Sequence, residues 1–310
     1  MTLSYRRARI YKERLVQERL DDAKVRLLDR THETTDDLKG ITCATDHMVR
    51  REAQAASKEN RAPNYESRQA KDELFGFMVG GFDTTATTLM WSTKLMAESP
   101  RVQSKLRRVL FDTFGENNGV PTAEQLITTR IPYLDAVVEE IVRCAQTSSA
   151  ATRRAVRDTQ LLGHHIPKGV DVYMMANGPG YIVSNDLNEK IPENVRSTSS
   201  QENKHRVPSW ESSDIGVFKP ERWIKIDEDG NETFDIHAGP SMQFGAGLRG
   251  CFGKKLAYLE IRILFTVLMW TYELQLVPKK LRGHEPFDSL THKPKKCYLL
   301  LKETGKHEAS

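Results

Sequence analysis

The sequence predicts a mainly α-helical protein with small β-sheets, and three observations predict it. Apolar residues at helical spacing fill the long stretches between residues 71 and 144 and between 254 and 270. The extended runs are short, lie after Arg154, and are bounded by Gly and Pro. No internal repeat interrupts this order. With 310 residues and 38% hydrophobic content, the chain suffices for one large domain or two ordinary ones with a buried core. Its 46 basic and 42 acidic residues are spread along the chain, so the net charge of +4 is a slight excess and not a polycationic tail. Nucleic acid is therefore not an expected partner.

Residues 1–70 read as a charged helical segment and linker, with Ile10, Leu15, Leu20, Val25 and Leu28 at helical spacing and a polar linker over 57–67 that contains Asn60 and Pro63. Residues 71–310 read as the core. From Lys71 the chain turns apolar through Leu74, Phe75, Phe77, Met78, Phe82, Leu89, Trp91 and Met96 up to Ser99 and Pro100, which predicts one long helix buried on most faces. Amphipathic helices are expected over 101–114 and 133–144. Short strands follow at 160–163, 164–166 and 170–175, with a turn at Pro167-Lys168-Gly169, and residues 184–216 form a long irregular connection. A last helix over 254–270 is expected to bury Leu256, Leu259, Ile263, Leu264, Val267 and Leu268, before strands near 274–277 and 297–301 close the chain.

The cysteines, Cys43, Cys144, Cys251 and Cys297, form no CxxC pair, which argues against a disulfide scaffold or a structural zinc site and for a reducing compartment. No apolar run is long enough to span a bilayer, and the first residues carry no signal region. The sequon at Asn231 reads as an unmodified surface loop.

The most informative residues are Phe244-Gly245-Ala246-Gly247-Leu248-Arg249-Gly250-Cys251-Phe252-Gly253, immediately before the last helix. Glycines supply backbone geometries closed to other residues and let the chain wrap a sulfur. A helix N-terminus favours negative charge and so prepares a thiolate for a metal. Arg249 adds a cation able to pair with a cofactor carboxylate. This string closely resembles the haem-binding signature of the cytochrome P450 family. The resemblance implies haem b, with the Cys251 thiolate as axial ligand to the iron and Phe244, Gly245, Gly247, Arg249 and Gly253 around it.

Three further strings match in the family's order. Gly80-Gly81-Phe82-Asp83-Thr84-Thr85 sits within the long helix, where each glycine costs about 1 kcal/mol relative to alanine. Either a locally opened helix or close packing through small residues would account for the pair. The string resembles the family's oxygen-activation motif, which makes Thr84 the alcohol beside dioxygen and Asp83 its acidic neighbour. Glu140 and Arg143 stand at i and i+3 and can pair on one helix face. In the family this pair is buried and locked to an arginine downstream, here Arg222 of Pro220-Glu221-Arg222-Trp223. Arg153, ahead of Asp158, Gly163 and Ile166-Pro167-Lys168-Gly169, matches the strand beside the haem and is a second propionate partner, with Arg154 as the fallback; Thr147 to Ala151 would line the substrate pocket.

The resemblance implies a cytochrome P450 fold, N-terminally truncated, with roughly the first third of such a protein absent and an insertion at 197–204 ahead of Trp210. It implies a monooxygenase that inserts one atom of O2 into an apolar small-molecule substrate, with an NADPH-dependent P450 reductase as electron donor. The loop composition is similar to that of filamentous-fungal members active in secondary-metabolite biosynthesis. A full-length form with the usual anchor would sit on the cytoplasmic side of the endoplasmic reticulum membrane. The competing expectation is a catalytically inactive truncated member that binds haem weakly or not at all.

Overall fold

The charged N-terminal stretch folds as two helices. The computed structural model describes residues 3–28, 41–115, 119–175, 191–202 and 214–304. In it, α1 (Leu3–Leu28) and α2 (Ala44–Lys58) precede α3 (Arg68–Ala97). The chain divides into two compact units, 1–82 and 83–310, whose boundary lies inside α3. In the first unit Val16, Leu20 and Ala23 pack with Met48, Val49 and Leu74. Its outer faces carry ion pairs such as Arg9–Glu13 and Arg14–Glu18, each at i,i+4 and 2.8 Å, of the kind worth a few tenths of a kcal/mol. Asp46 is the exception: burial pushes its carboxyl up, but Arg26 and Thr42 outweigh this and hold it well below the carboxylate range. Phe77 and Phe82 are exposed, while Phe75 is half-buried under the Lys12 ammonium, 4.1 Å from the ring centre.

α3 continues without a break through Gly80 and Gly81, and a Cβ added at either would meet nothing within 4 Å. The pair is thus neither an opened turn nor a close packing contact among the described residues. No helix among these residues is long and apolar enough to cross a membrane.

The second unit is built around α6 (Pro132–Ala145), which is buried on nearly every side. Pro132 at its first turn supplies a preset φ, and Gln146 ends it in the left-handed region. Leu134, Val137, Val138 and Ile141 pack against Val102, Leu106 and Leu110 of α4 (Pro100–Phe114) and against Ile261, Phe265 and Met269 of α8 (Lys254–Thr271). The short α5 (Ala123–Thr128) is started by a reciprocal cap between Thr122 and Gln125. It is tied to α8 by Arg262, whose guanidinium donates to the Leu126 and Thr129 carbonyls at 2.7 Å and pairs with Asp135.

The buried face of α8 differs from the one the sequence predicts. Ile261, Phe265, Thr266, Met269 and Trp270 are buried, whereas Leu256 and Leu264 are exposed and Leu259, Ile263, Val267 and Leu268 only half-buried. This helix is apolar almost all round, so periodicity leaves its rotation open and contact with α4 and α6 selects the face.

All sheets among the described residues are antiparallel pairs. β1 (Ala150–Arg154) pairs with β4 (Asp171–Met175), and β2 (Thr159–Leu161) with β3 (His164–Ile166). The run expected to extend to Gly163 ends sooner, because Leu162 and Gly163, at φ 51° and 82°, form the two-residue hairpin turn. β5 (Ile224–Ile226) pairs with β6 (Glu232–Phe234), β7 (Tyr272–Gln275) with β10 (Leu300–Glu303), and β8 (Pro286–Asp288) with β9 (His292–Pro294). The closing strands lie two to three residues from their expected positions. In the connection 184–216, a 3₁₀ turn (Glu193–Val195) and α7 (Thr198–Glu202) are described. Trp210 and residues 203 and 204 of the expected insertion lie outside the described residues.

Candidate active site

The cysteine loop is shaped by its own backbone. Gly245 and Gly247 take φ 64° and 63°, a region that strains any residue with a Cβ. A Cβ on Gly250 would approach the Gly247 carbonyl oxygen to 3.2 Å. The Cys251 amide donates to the Phe244 carbonyl at 2.7 Å and the Gly250 amide to Gly247 at 3.0 Å, closing the loop just before α8 begins at Lys254. Phe244 packs on Tyr258, ring centres 5.1 Å apart. The result is a thiol held at the surface of a tight loop, near the positive end of a helix.

The remaining cysteines differ. Burial, with the nearby Glu140 carboxylate, pushes the Cys144 thiol up to about 12, so it stays protonated. Cys297 is half-buried beside the Met90 carbonyl. Cys43 sits at the N-cap of α2 with an Arg26 nitrogen 3.7 Å from its sulfur, a helix-terminus cysteine without a glycine loop before it.

Cys251 opens into a cavity of about 550 Å³, within the range of small-molecule sites. Phe244, Gly245, Arg249, Arg153 and Thr84 also line it, together with apolar Val142, Ala150, Ala151, Met174, Met175, Met242 and Ile261. Gly247 and Gly253 shape the loop without lining the cavity. The two arginines of β1 separate cleanly: neighbours on a strand point to opposite faces. Arg154 forms a two-pronged pair with Asp171 at 2.8 Å, whereas Arg153 faces the cavity and donates only to the Thr152 carbonyl. Arg249 has no hydrogen-bond or ion partner among the described residues.

Thr84 and Asp83 part company as well. Thr84 lines the cavity, but Asp83 does not. Lys293 and Thr291 bond the Asp83 carboxylate at 2.5 and 2.7 Å, and the Lys293 ammonium foremost holds it below its ordinary value.

Glu140, Arg143 and Arg222 meet in a buried network. Arg143 grips both Glu140 oxygens at 2.8 Å, Arg222 adds a contact at 3.1 Å, and the Trp223 indole and Lys219 amide donate at 2.9 and 2.8 Å. Asp214 extends the network through Arg222 and Lys219 at 3.1 and 2.6 Å. Neither Asp214 nor Trp223 was picked out from the sequence as a member, since their partners lie some eighty residues away or across an irregular loop. Glu139 was also passed over. It is fully buried, accepts hydroxyls from Tyr258 and Ser241, and is raised above its ordinary value by that burial.

A family model described as Cytochrome P450 matches residues 3–181 and 213–301. This chain belongs to the cytochrome P450 family. Among its relatives, cytochrome P450 monooxygenase TRI13 of Fusarium sporotrichioides is 41% identical, over 86% of this chain and 47% of that one. Cytochrome P450 monooxygenase xilC of Penicillium rubens is 39% identical, over 84% of this chain and 44% of its own length. The P450 thus spans about half the length of these two relatives. Against the Hps1-dma1 cluster cytochrome P450 monooxygenase cyp3.1 of Dothistroma septosporum, 36% identical, it covers 84% of itself and 86% of the relative. The crystal structure of a cytochrome P450 (CYP102L1) superposes with a TM-score of 0.63 at 19% identity, over 96% of this chain and 58% of that one, which shows the mainly helical P450 fold.

The family holds haem through a cysteine thiolate, and the residues of this P450 fit that group. One thiol in a glycine loop faces a largely apolar cavity beside Arg249 and Arg153, two cations that no carboxylate claims among the described residues. No group of three or more His, Cys, Asp or Glu side chains gathers as a metal site among the described residues.

Proposed function

We propose that this chain binds haem b with Cys251 as axial ligand and is a monooxygenase, inserting one atom of O2 into an apolar organic substrate and releasing the other as water. The electrons come from an NADPH-dependent reductase, and the reading includes a place in secondary-metabolite biosynthesis, the relatives being cytochrome P450 monooxygenases of fungi. The observation that carries the reading is the convergence of Cys251, Arg249, Arg153 and Thr84 on one cavity. Thiolate-bound haem supplies the push of electron density that favours O–O cleavage. In this reading Arg249 and Arg153 would pair with its propionates, Phe244 packed on Tyr258 would shield the sulfur, and the Thr84 hydroxyl would serve proton delivery. Ala150, Ala151, Met174 and Met175 provide a dry, adaptable wall for an apolar substrate. Glu140, Arg143 and Arg222 hold the core beneath. Residues 71–310 act together as the catalytic core, and 1–70 as a charged helical segment ahead of it.

The test is a haem titration followed by the carbon monoxide difference spectrum of the reduced protein. A red-shifted Soret band that disappears in Cys251→Ser is expected; its persistence there would remove Cys251 as ligand. Thr84→Ala should keep the band but uncouple electron consumption from product.

A second reading, an inactive member that retains haem poorly, is favoured by one observation. Leu248 and Phe252, on either side of Cys251, are 104% and 92% exposed, so that flank of the loop is left wet. Stoichiometric haem retention through gel filtration would exclude it.

A further inference from the structure

Asp83, Thr87 and Trp91 lie four residues apart on α3 and so share one face. Three consecutive residues at the turn into β9, Thr291 to Lys293, meet all of them. Lys293 Nζ and Thr291 Oγ1 donate to the two Asp83 oxygens at 2.5 and 2.7 Å, the Thr87 and Thr291 hydroxyls are 3.0 Å apart, and Trp91 Nε1 donates to the His292 carbonyl at 2.7 Å. A threonine hydroxyl has one proton to give. Since Thr291 gives its proton to Asp83, Thr87 is the donor to Thr291.

The contact continues into the cavity wall. The His292 amide donates to the Thr147 carbonyl at 3.0 Å. Thr88 gives its proton to the Thr84 carbonyl at 3.0 Å, so the Thr147 hydroxyl, 2.8 Å away, donates to Thr88. The bonds form a circuit that leaves α3 at Asp83 and returns to it at Thr88, one turn further on. It passes through the β8–β9 hairpin and through Thr147, which lines the cavity.

We propose that Asp83 and Lys293 are positioning residues: they clamp the β8–β9 hairpin to α3, and through Thr147 they set the cavity wall. The clamp stands on the geometry alone. Its consequence for substrate rests on the function proposed above. A carboxylate with an ammonium on one oxygen and a hydroxyl on the other holds two neighbouring residues of the hairpin to one point of the helix.

The experiment compares wild type, Lys293→Met, Lys293→Arg, Asp83→Asn and the double variant Asp83→Asn/Lys293→Met. Hydrogen exchange of residues 286–294 reads the clamp whether or not haem is bound. Lys293→Met and Asp83→Asn should each speed exchange of the His292 amide at least tenfold. The double variant should be no faster than either single one, and Lys293→Arg should restore protection. In haem-loaded enzyme, Lys293→Met should raise the KM for substrate several-fold and leave the pH profile of coupling unchanged. Exchange unaltered in both single variants would overturn the clamp. A changed coupling profile at constant KM would overturn the link between the clamp and the cavity wall. Failure of the chain to load haem would count against the proposed function and leave the exchange result standing.

Discussion

The Glu140 network and the cysteine loop lie in the same unit and are both rich in charge and hydrogen bonds, yet they are opposite in kind. Around Glu140 every partner is spoken for: two arginines, an indole and an amide converge on one carboxylate that is fully buried. Around Cys251 the Gly245, Gly250 and Cys251 amides are bonded within the loop, but the thiol and the Arg249 guanidinium line the cavity. A buried charge without partners would unfold the chain, so the first cluster is complete in itself. The second holds its polar groups ready for something that is not protein. Saturation marks a structural cluster, and reserve marks a binding site.

The largest effect should come from breaking the saturated cluster. Glu140→Ala removes the buried carboxylate that Arg143 and Arg222 share, and a loss of about 3–5 kcal/mol is expected, enough to abolish cooperative unfolding of the second unit in a urea titration. Cys251→Ser probes the other side of the comparison. Its urea midpoint should match that of wild type, because the side chain is exposed and holds nothing in place, while the thiolate-type spectrum should vanish. A destabilised Cys251→Ser apoprotein would show that the loop is structural after all.

Arg249→Ala and Arg153→Ala should each weaken haem binding, measured by titration of the apoprotein, about 10- to 100-fold, the worth of one charge-assisted bond. Arg154→Ala, which loses only its pair with Asp171, should leave haem affinity unchanged. Equal losses at 153 and 154 would erase the distinction between spent and unspent cations.

The smallest effect is expected at Glu139, a buried carboxyl with hydroxyl partners and no cation bonded to it among the described residues. Burial raises its carboxyl above the ordinary value of 4.5, with Tyr258, Ser241 and Lys254 opposing and Glu140 adding to the rise. The folded chain therefore keeps this proton to higher pH than the unfolded chain does. The stability this contributes is complete below the unfolded value and is lost as pH rises through the folded one. Glu139→Gln, neutral throughout, should unfold at a higher urea midpoint than wild type on the alkaline side and show little difference in acid. Parallel pH curves for the two proteins would show that Glu139 is ionised in the fold.

What the sequence by itself determined was whatever is written locally. The helices α3, α4, α6 and α8, the glycine loop before Lys254 and the pairing of Glu140 with Arg143 follow from spacing and residue type over a turn or two of chain. Tertiary structure decided whatever depends on a partner far along the chain. It chose the buried face of α8, since an all-apolar helix has no preferred rotation until α4 and α6 pack on it. It gave Arg154 to Asp171 and left Arg153 to the cavity, because strand pairing places Asp171 directly opposite Arg154. It also bound Asp83 to Lys293, two hundred and ten residues away, a contact for which local sequence carries no signal. Propensity and capping act within a few residues, whereas the desolvation of a charge or an apolar face is settled only by whichever surface comes to cover it.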